Sequence, residues 1–294
     1  MLDISIVGAG RMGGALALAL DRAGYDVSRI VFRTAPPDDG FLSQFTRRPD
    51  VSSISEGGSI ASDAVFITTQ DSEIASAAIE LEALIQGSST VFITSGAQSS
   101  KSITNLRNRG ARIGSIHPLV SVSDPVQGAD RLKGAFFCVE GDLDAVNLAE
   151  VIVRSLGGRS FTIPTDKKPL YHAAAVTSSG HLVALIDIAI GMLEKCGLDV
   201  EQGKTILLPL IESTVENLKG QTLEESLTGT YARGDLNTFE SHLAALRNNE
   251  DEKVTRTYLD LALRSLEIAE RRHGSRESLM ELKERVLIAK REVG

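Results

Sequence analysis

Two periodicities divide the chain. In the first half, short runs rich in β-branched and apolar residues, at 4–7, 30–32, 64–68, 90–94, 111–116, 135–139 and 159–163, predict strands. Between them, 14–23 and 72–85 carry apolar residues at helical spacing. This alternation is the rhythm of βαβ units, so an α/β fold with a mostly parallel sheet is expected. From Pro164 onward the strand signal stops and helix follows helix, at 170–195, 199–219, 236–247, 251–272 and 275–293, with a glycine-containing loop at 227–235. The switch near Thr165 predicts an α/β domain over residues 1–164 and an all-α domain over 165–294. A length of 294 residues agrees with two domains, at a prior of about 150 residues each.

Composition narrows the partners. With 42% hydrophobic and 24% charged residues, the chain has the profile of a folded globular protein. A net charge of -8 opposes nucleic acid and anionic membranes as main partners, because both repel it at long range. The two cysteines, Cys138 and Cys196, lie in different predicted elements without metal-ligand spacing, so free thiols, no bound metal and a cytoplasmic location are expected. The chain enters its first strand without the basic region of a signal peptide. Residues 173–193 are long enough for a membrane span, but Ser178, Ser179, His181 and Asp187 interrupt them. No membrane span is expected there. The apolar remainder of that helix instead implies burial on nearly all sides, with another subunit as part of the cover.

Chemistry enters directly after the first strand, at Gly8-Ala9-Gly10-Arg11-Met12-Gly13-Gly14. A dinucleotide site needs glycine at the tight turn, where the backbone touches the diphosphate, and where helix packs on strand. The amides of the following helix then face the anion. NAD enzymes place an acidic residue at the end of the second strand, whereas this chain has Arg33 and Thr34 there. A guanidinium can pair with the extra phosphate of NADP, which favours NADP over NAD, and Arg11 can join from the loop. The alternative is that Arg33 only ends a strand in solvent. Ligands sit beyond the carboxyl ends of parallel strands, so Thr69, Gln70 and Ser95 are further cofactor candidates. Asp71 or Ser72 as a helix cap, and Ser95 as a turn residue, are equally open readings.

His117 follows a strand, in His117-Pro118-Leu119-Val120-Ser121, and should emerge at a cleft rim. On the first long helix of the second half, His172 and Ser179 are seven positions apart and share a face, whereas His181 points elsewhere.

At these residues the sequence resembles a family of bacterial Rossmann-like proteins whose C-terminal part is a domain of unknown function, labelled candidate NADP oxidoreductases. The resemblance rests on Gly8 to Gly13, Thr94-Ser95-Gly96-Ala97, His117-Pro118-Leu119, Tyr171-His172-Ala173-Ala174-Ala175-Val176, and Leu227-Thr228-Gly229 with Ala232-Arg233-Gly234-Asp235. More distantly the layout is similar to ketopantoate reductase, pyrroline-carboxylate reductase and the hydroxyacid dehydrogenases. That resemblance implies a helical domain like the C-terminal one of 6-phosphogluconate dehydrogenase, substrate between the domains, a homodimer formed through the helices, and hydride transfer to C=O or C=N. Two departures stand out. Gly180 occupies the family's asparagine position, and the helix lacks the lysine that ketopantoate reductases use as proton donor. Lys167 and Lys168 precede the helix and are expected at its entry behind Asp166.

Reduction of a carbonyl needs a proton source, and a histidine suits that role. His172 is the first candidate and His117 the second, with packed, hydrogen-bonded histidines as the alternative. Ser121 and Ser179 are candidates for substrate hydrogen bonds, and Arg233 for a substrate carboxylate. Arg233 can equally tie its own loop to a carboxylate, and Asp235 can cap the following helix. Three functions remain open: an NADP(H)-dependent reductase of a small 2-oxo acid such as ketopantoate, an imine reductase of the pyrroline-carboxylate type, and a non-catalytic NADP-binding protein.

Overall fold

A computed structural model describes every residue of the chain except Gly57, Glu250, Ser275 and Gly294. It divides into two compact units, Met1–Gly180 and His181–Gly294.

The first unit is built on eight strands: β1 Asp3–Val7, β2 Asp26–Phe32, β3 Asp50–Ser53, β4 Ala64–Ile67, β5 Thr90–Ile93, β6 Arg112–Pro118, β7 Phe136–Gly141 and β8 Arg159–Phe161. Their order across the sheet is β3-β2-β1-β4-β5-β6-β7-β8. Neighbours run parallel except β6 and β7, which are antiparallel. Alternate residues of each strand feed separate cores on the two faces: Ile4, Ile6, Phe66 and Phe92 on one, Val7, Val65, Ile67, Val91 and Ile93 on the other. Helices Arg11–Arg22 and Leu143–Ser155 contribute to the first core, and Ile74–Glu82 to the second.

β3 carries no strand signal in the sequence. Its residues are Asp-Val-Ser-Ser, none fully buried, and it pairs with β2 alone at the sheet edge, where there is little to be hydrophobic against. Helices Pro125–Arg131 and Leu143–Ser155 also go beyond the expected elements. The second is legible in hindsight, because it buries Ala145, Ala149, Ile152 and Val153 at helical spacing.

The helix expected at 170–195 is two helices, Lys168–Ser178 and Gly180–Lys195, separated by non-helical backbone at Ser179 (φ -123, ψ -71). Three consecutive hydroxyls bond back to preceding carbonyls: Thr177 to Ala173, and Ser178 and Ser179 to Ala175. Such back-bonding bends helices, and the glycine that follows adds no helix propensity to resist it. Thr165–Lys195 is nonetheless the one helical stretch among the described residues long and apolar enough for a membrane span, at a mean hydropathy of 1.6.

In the second unit, Leu236–Asn249, Glu252–His273 and Glu277–Glu292 share a core. Leu259, Ala262, Leu266 and Ala269 repeat the spacing of Leu279, Leu282, Val286 and Ala289, so two apolar stripes meet. Gly180–Lys195 departs from its expected burial on nearly all sides. It buries no residue, and Val183 is 68% exposed. Helix Val200–Gly220 buries only Gly203 and likewise exposes Ile206 and Leu210. An apolar composition specifies that a face needs cover, but not that the same chain provides it.

Candidate functional site

The loop after β1 is shaped by three glycines with three different jobs. Gly8 has φ +97, and its N–H donates to the Val31 carbonyl at 2.8 Å, turning the chain out of the sheet. At Gly13 a Cβ would overlap the Gly8 carbonyl oxygen and Thr68 Oγ1, so only glycine lets the helix lie this close to the loop. Gly10 is the opposite case: it is exposed, and a Cβ there would meet nothing within 4 Å. Gly10 is also the N-cap of helix Arg11–Arg22 and offers no side-chain cap, so the first-turn amides are left for a ligand or water. Ala9 and Met12 are half-buried beside them, and Arg11 is exposed.

Across the loop, Thr68 Oγ1 hydrogen-bonds the Val7 and Gly8 carbonyls and locks the turn. Thr69 Oγ1 is buried without a hydrogen-bond partner among the described residues. A buried hydroxyl left unpaired costs free energy and points to a missing polar partner. The open face at Gly10 and the orphaned hydroxyl of Thr69 together fit a dinucleotide diphosphate. Gln70 is exposed beside them and precedes the short turn Asp71–Glu73.

Arg33 and Thr34 follow β2, with Thr34 exposed. The Arg33 guanidinium is neither free in solvent nor waiting empty. It pairs with Glu80 at 2.8 Å and Glu73 at 3.7 Å, both contributed by the segment that follows β4. Any phosphate at this position competes with two carboxylates.

The second part of the site lies where β6 ends. His117 meets Tyr171 and His172 of helix Lys168–Ser178: its Nδ1 shares a 2.7 Å hydrogen bond with the Tyr171 hydroxyl, and its ring centroid is 5.9 Å from that of His172. Gly96 makes the room, since a Cβ there would come within 2.5 Å of His172 and 2.7 Å of His117 Nε2. A cavity of about 350 Å³ is lined by His117, Ser121, His172, Val176, Ser178 and Ser179 among others. Burial, helped by the Lys168 charge and by His172, pulls the His117 pKa down to about 4, so its imidazole is neutral at physiological pH. Burial pushes the Tyr171 phenol up, so it stays protonated and able to donate.

Four of the candidate residues thus meet in one cavity: His117, Ser121, His172 and Ser179. Ser179 Oγ donates to Ala175 O and keeps its acceptor capacity. Ser95 is buried, and its hydroxyl accepts from the amides of Ala97 and Gln98, which makes it the organiser of its turn. Arg233 belongs to the second unit, where it is mostly exposed, 3.9 Å from Asp235. Asp235 accepts from the Thr238 amide and hydroxyl, as a cap of helix Leu236–Asn249 does.

Lys168 departs from its expected place. Lys167 does sit at the helix entry, exposed and 3.3 Å from Asp166, but Lys168 is wholly buried. Its Nζ donates to the Ser95 carbonyl at 2.9 Å and to Ser115 Oγ, and lies 3.6 Å from Glu140. The only available signal was spacing, since Lys168, Tyr171 and His172 fall at i, i+3 and i+4 on one helix face. Lysine is so seldom buried that this spacing alone would not have singled it out.

Comparison with known proteins agrees with this architecture. Residues 1–118 match the model of a Rossmann-like domain, and residues 135–265 that of a domain of unknown function, DUF2520. No curated protein matches the sequence. Among solved structures, a Bacteroides fragilis protein named as a candidate NADP oxidoreductase is similar with a TM-score of 0.72 at 20% identity, over 92% of this chain and 98% of its own. A pyrroline carboxylate reductase from Plasmodium falciparum, solved with NADP bound, has a TM-score of 0.58 at 14% identity, over 98% of each chain. An imine reductase from a Pseudomonas species also has a TM-score of 0.58, at 17% identity, over 96% of this chain and 99% of its own. The chain thus joins a Rossmann-like domain to a DUF2520 domain, and it shares its fold with these solved structures.

Proposed function

We propose that the protein is an NADP(H)-dependent reductase of a small carbonyl compound, in the first instance a 2-oxo acid of the ketopantoate kind. The cradle carries the coenzyme assignment: Gly10 presents an open backbone, uncapped helix amides lie behind it, and the Thr69 hydroxyl has no partner among the described residues. Arg33 and Thr34 favour a 2'-phosphate, once Glu73 and Glu80 release the guanidinium. The bound coenzyme would supply a hydride to the carbonyl carbon.

The carbonyl oxygen must then receive a proton, and the histidine pocket supplies the means. His117 is neutral, so it serves as a hydrogen-bonding group oriented by Tyr171. With the phenol donating to Nδ1, the imidazole proton sits on Nε2, the nitrogen that faces Gly96. His172 is the candidate proton donor. Ser121 and Ser179 would hold the substrate's oxygens from the same cavity. The exposed apolar faces of Gly180–Lys195 and Val200–Gly220 favour a second copy of the chain as their cover.

One observation favours reduction of an imine instead. The Lys168 ammonium is taken up by Ser95, Ser115 and Glu140, and no lysine lines the cavity. An iminium already carries its proton and asks less of a donor.

The test mixes the protein with NADPH and a panel of 2-oxo acids and cyclic imines. NADPH absorbance is expected to fall with a member of the panel, and the rate to collapse in His172→Ala. Tight NADPH binding without turnover across the panel would replace this reading with that of a binding protein.

A further inference from the structure

The two histidines are held by a buried construction that the reduction chemistry does not itself use. Ser115 and His117 lie on one face of β6, and their antiparallel partners on β7 are Glu140 and Cys138. Onto this square of four side chains, helix Lys168–Ser178 lowers Lys168, Tyr171 and His172 from a single face. The Lys168 ammonium then ties three separate segments together: the turn after β5 through the Ser95 carbonyl, β6 through Ser115, and β7 through Glu140. Glu140 is held in turn by the Ser100 amide and hydroxyl, each at 2.8 Å.

We infer that Lys168 is a positioning residue of the histidine pocket: its buried ammonium fixes the Ser95–Gly96 turn against both histidines and brings a positive charge to bear on the His117 imidazole. The inference rests on reading that pocket as the place of chemistry.

Two arguments carry it. The first is geometric. Gly96 is in such close contact with both imidazoles that their separation follows the position of the turn, and Ser95 is gripped from both sides, its carbonyl by Lys168 and its hydroxyl by the amides of Ala97 and Gln98. The second is energetic. Taking an ammonium and a carboxylate out of water is costly, and an apolar pair of similar size is often at least as stable. A buried ion pair is therefore a weak stabilising device, and its value lies in the geometry and the field it imposes. That field acts on His117, whose pKa is lowered first by burial and next by the Lys168 charge. The groups facing this cluster are Cys138 and Glu140 from β7, Lys168, Tyr171 and His172 from the helix, and Asp71 from the loop after β4, whose charge reaches Lys168.

The experiment follows the His117 imidazole by NMR across a pH titration of the full chain, assigned with His117→Gln. The native protein is expected to titrate near 4. Lys168→Met leaves Glu140 buried and unpaired, and can fail to fold for that reason alone. The decisive variant is therefore Lys168→Met/Glu140→Gln, which removes both charges. In it the His117 midpoint is expected to rise by roughly one unit, while Lys168→Arg, which keeps the charge, holds it low. An unchanged midpoint in the double variant overturns the inference, and so does a double variant that cannot fold, since Lys168 would then be structural only. Titration needs neither coenzyme nor turnover, so a chain that reduces nothing sinks the proposed function and leaves this result standing.

Discussion

The glycine cradle and the histidine pocket belong to one folded unit, yet they are made by opposite means. The cradle is six consecutive residues, Gly8 to Gly13, whose work is done by backbone and by missing side chains. The pocket is assembled from the turn at Ser95, from β6, from β7 and from the helix that begins at Lys168, and its work is done by side chains. Local geometry that needs glycine leaves a mark in the sequence at fixed spacing. A cluster gathered from segments as distant as residues 95 and 168 leaves none until the sheet order is known.

The sharpest way to break this comparison is within the cradle itself. Gly13→Ala forces a Cβ against a carbonyl that cannot move, so a loss of about 3 kcal/mol or failure to fold is expected in denaturant titration. Gly10→Ala should leave stability within about 0.5 kcal/mol, because its Cβ enters open space, yet lower coenzyme affinity at least about tenfold in calorimetry. If both substitutions behave alike, the division of labour between these glycines is wrong.

The pocket has its own signature in pH. The folded His117 value near 4 lies below the ordinary 6.5, so protonation favours the unfolded chain. The stability tied to this group is complete above pH 6.5 and is lost as pH falls toward 4, by an amount on the order of 3 kcal/mol. Urea unfolding across that window should show this slope in the native protein and a shallower one in His117→Gln. Equal slopes would mean the imidazole is not held neutral by the fold.

The proposed 2'-phosphate site offers a smaller effect that joins the two modes of construction. Arg33 stands at a position the sequence marks, but Glu73 and Glu80 occupy it through tertiary contact. Arg33→Ala is expected to weaken NADPH by about 1.5–3 kcal/mol and NADH much less. Glu73→Gln/Glu80→Gln should tighten NADPH a few-fold by removing the competing carboxylates. Equal weakening of both coenzymes by Arg33→Ala would end the assignment of Arg33 to the 2'-phosphate.

Periodicity alone was enough for the mostly parallel sheet, the helical second half and the glycine turn, because each depends on residues within a few positions of one another. The helix break at Ser179 escaped that reading, which ran one helix over 170–195, because the back-bonding of three adjacent hydroxyl residues before a glycine leaves the apolar spacing unchanged. The polar edge strand β3 was hidden for the converse reason: a strand with one neighbour needs little apolar character, and its identity comes from the partner it pairs with. Lys168 is the clearest case of what only tertiary structure decides. A lysine beside another lysine and an aspartate looks like a solvated helix entry, and nothing local distinguishes it from Lys167. One side chain reaches solvent and the other is sealed against Glu140 because the fold brings β7 and the turn after β5 beneath the first turn of the helix, and the free energy of a charge depends on what surrounds it in space.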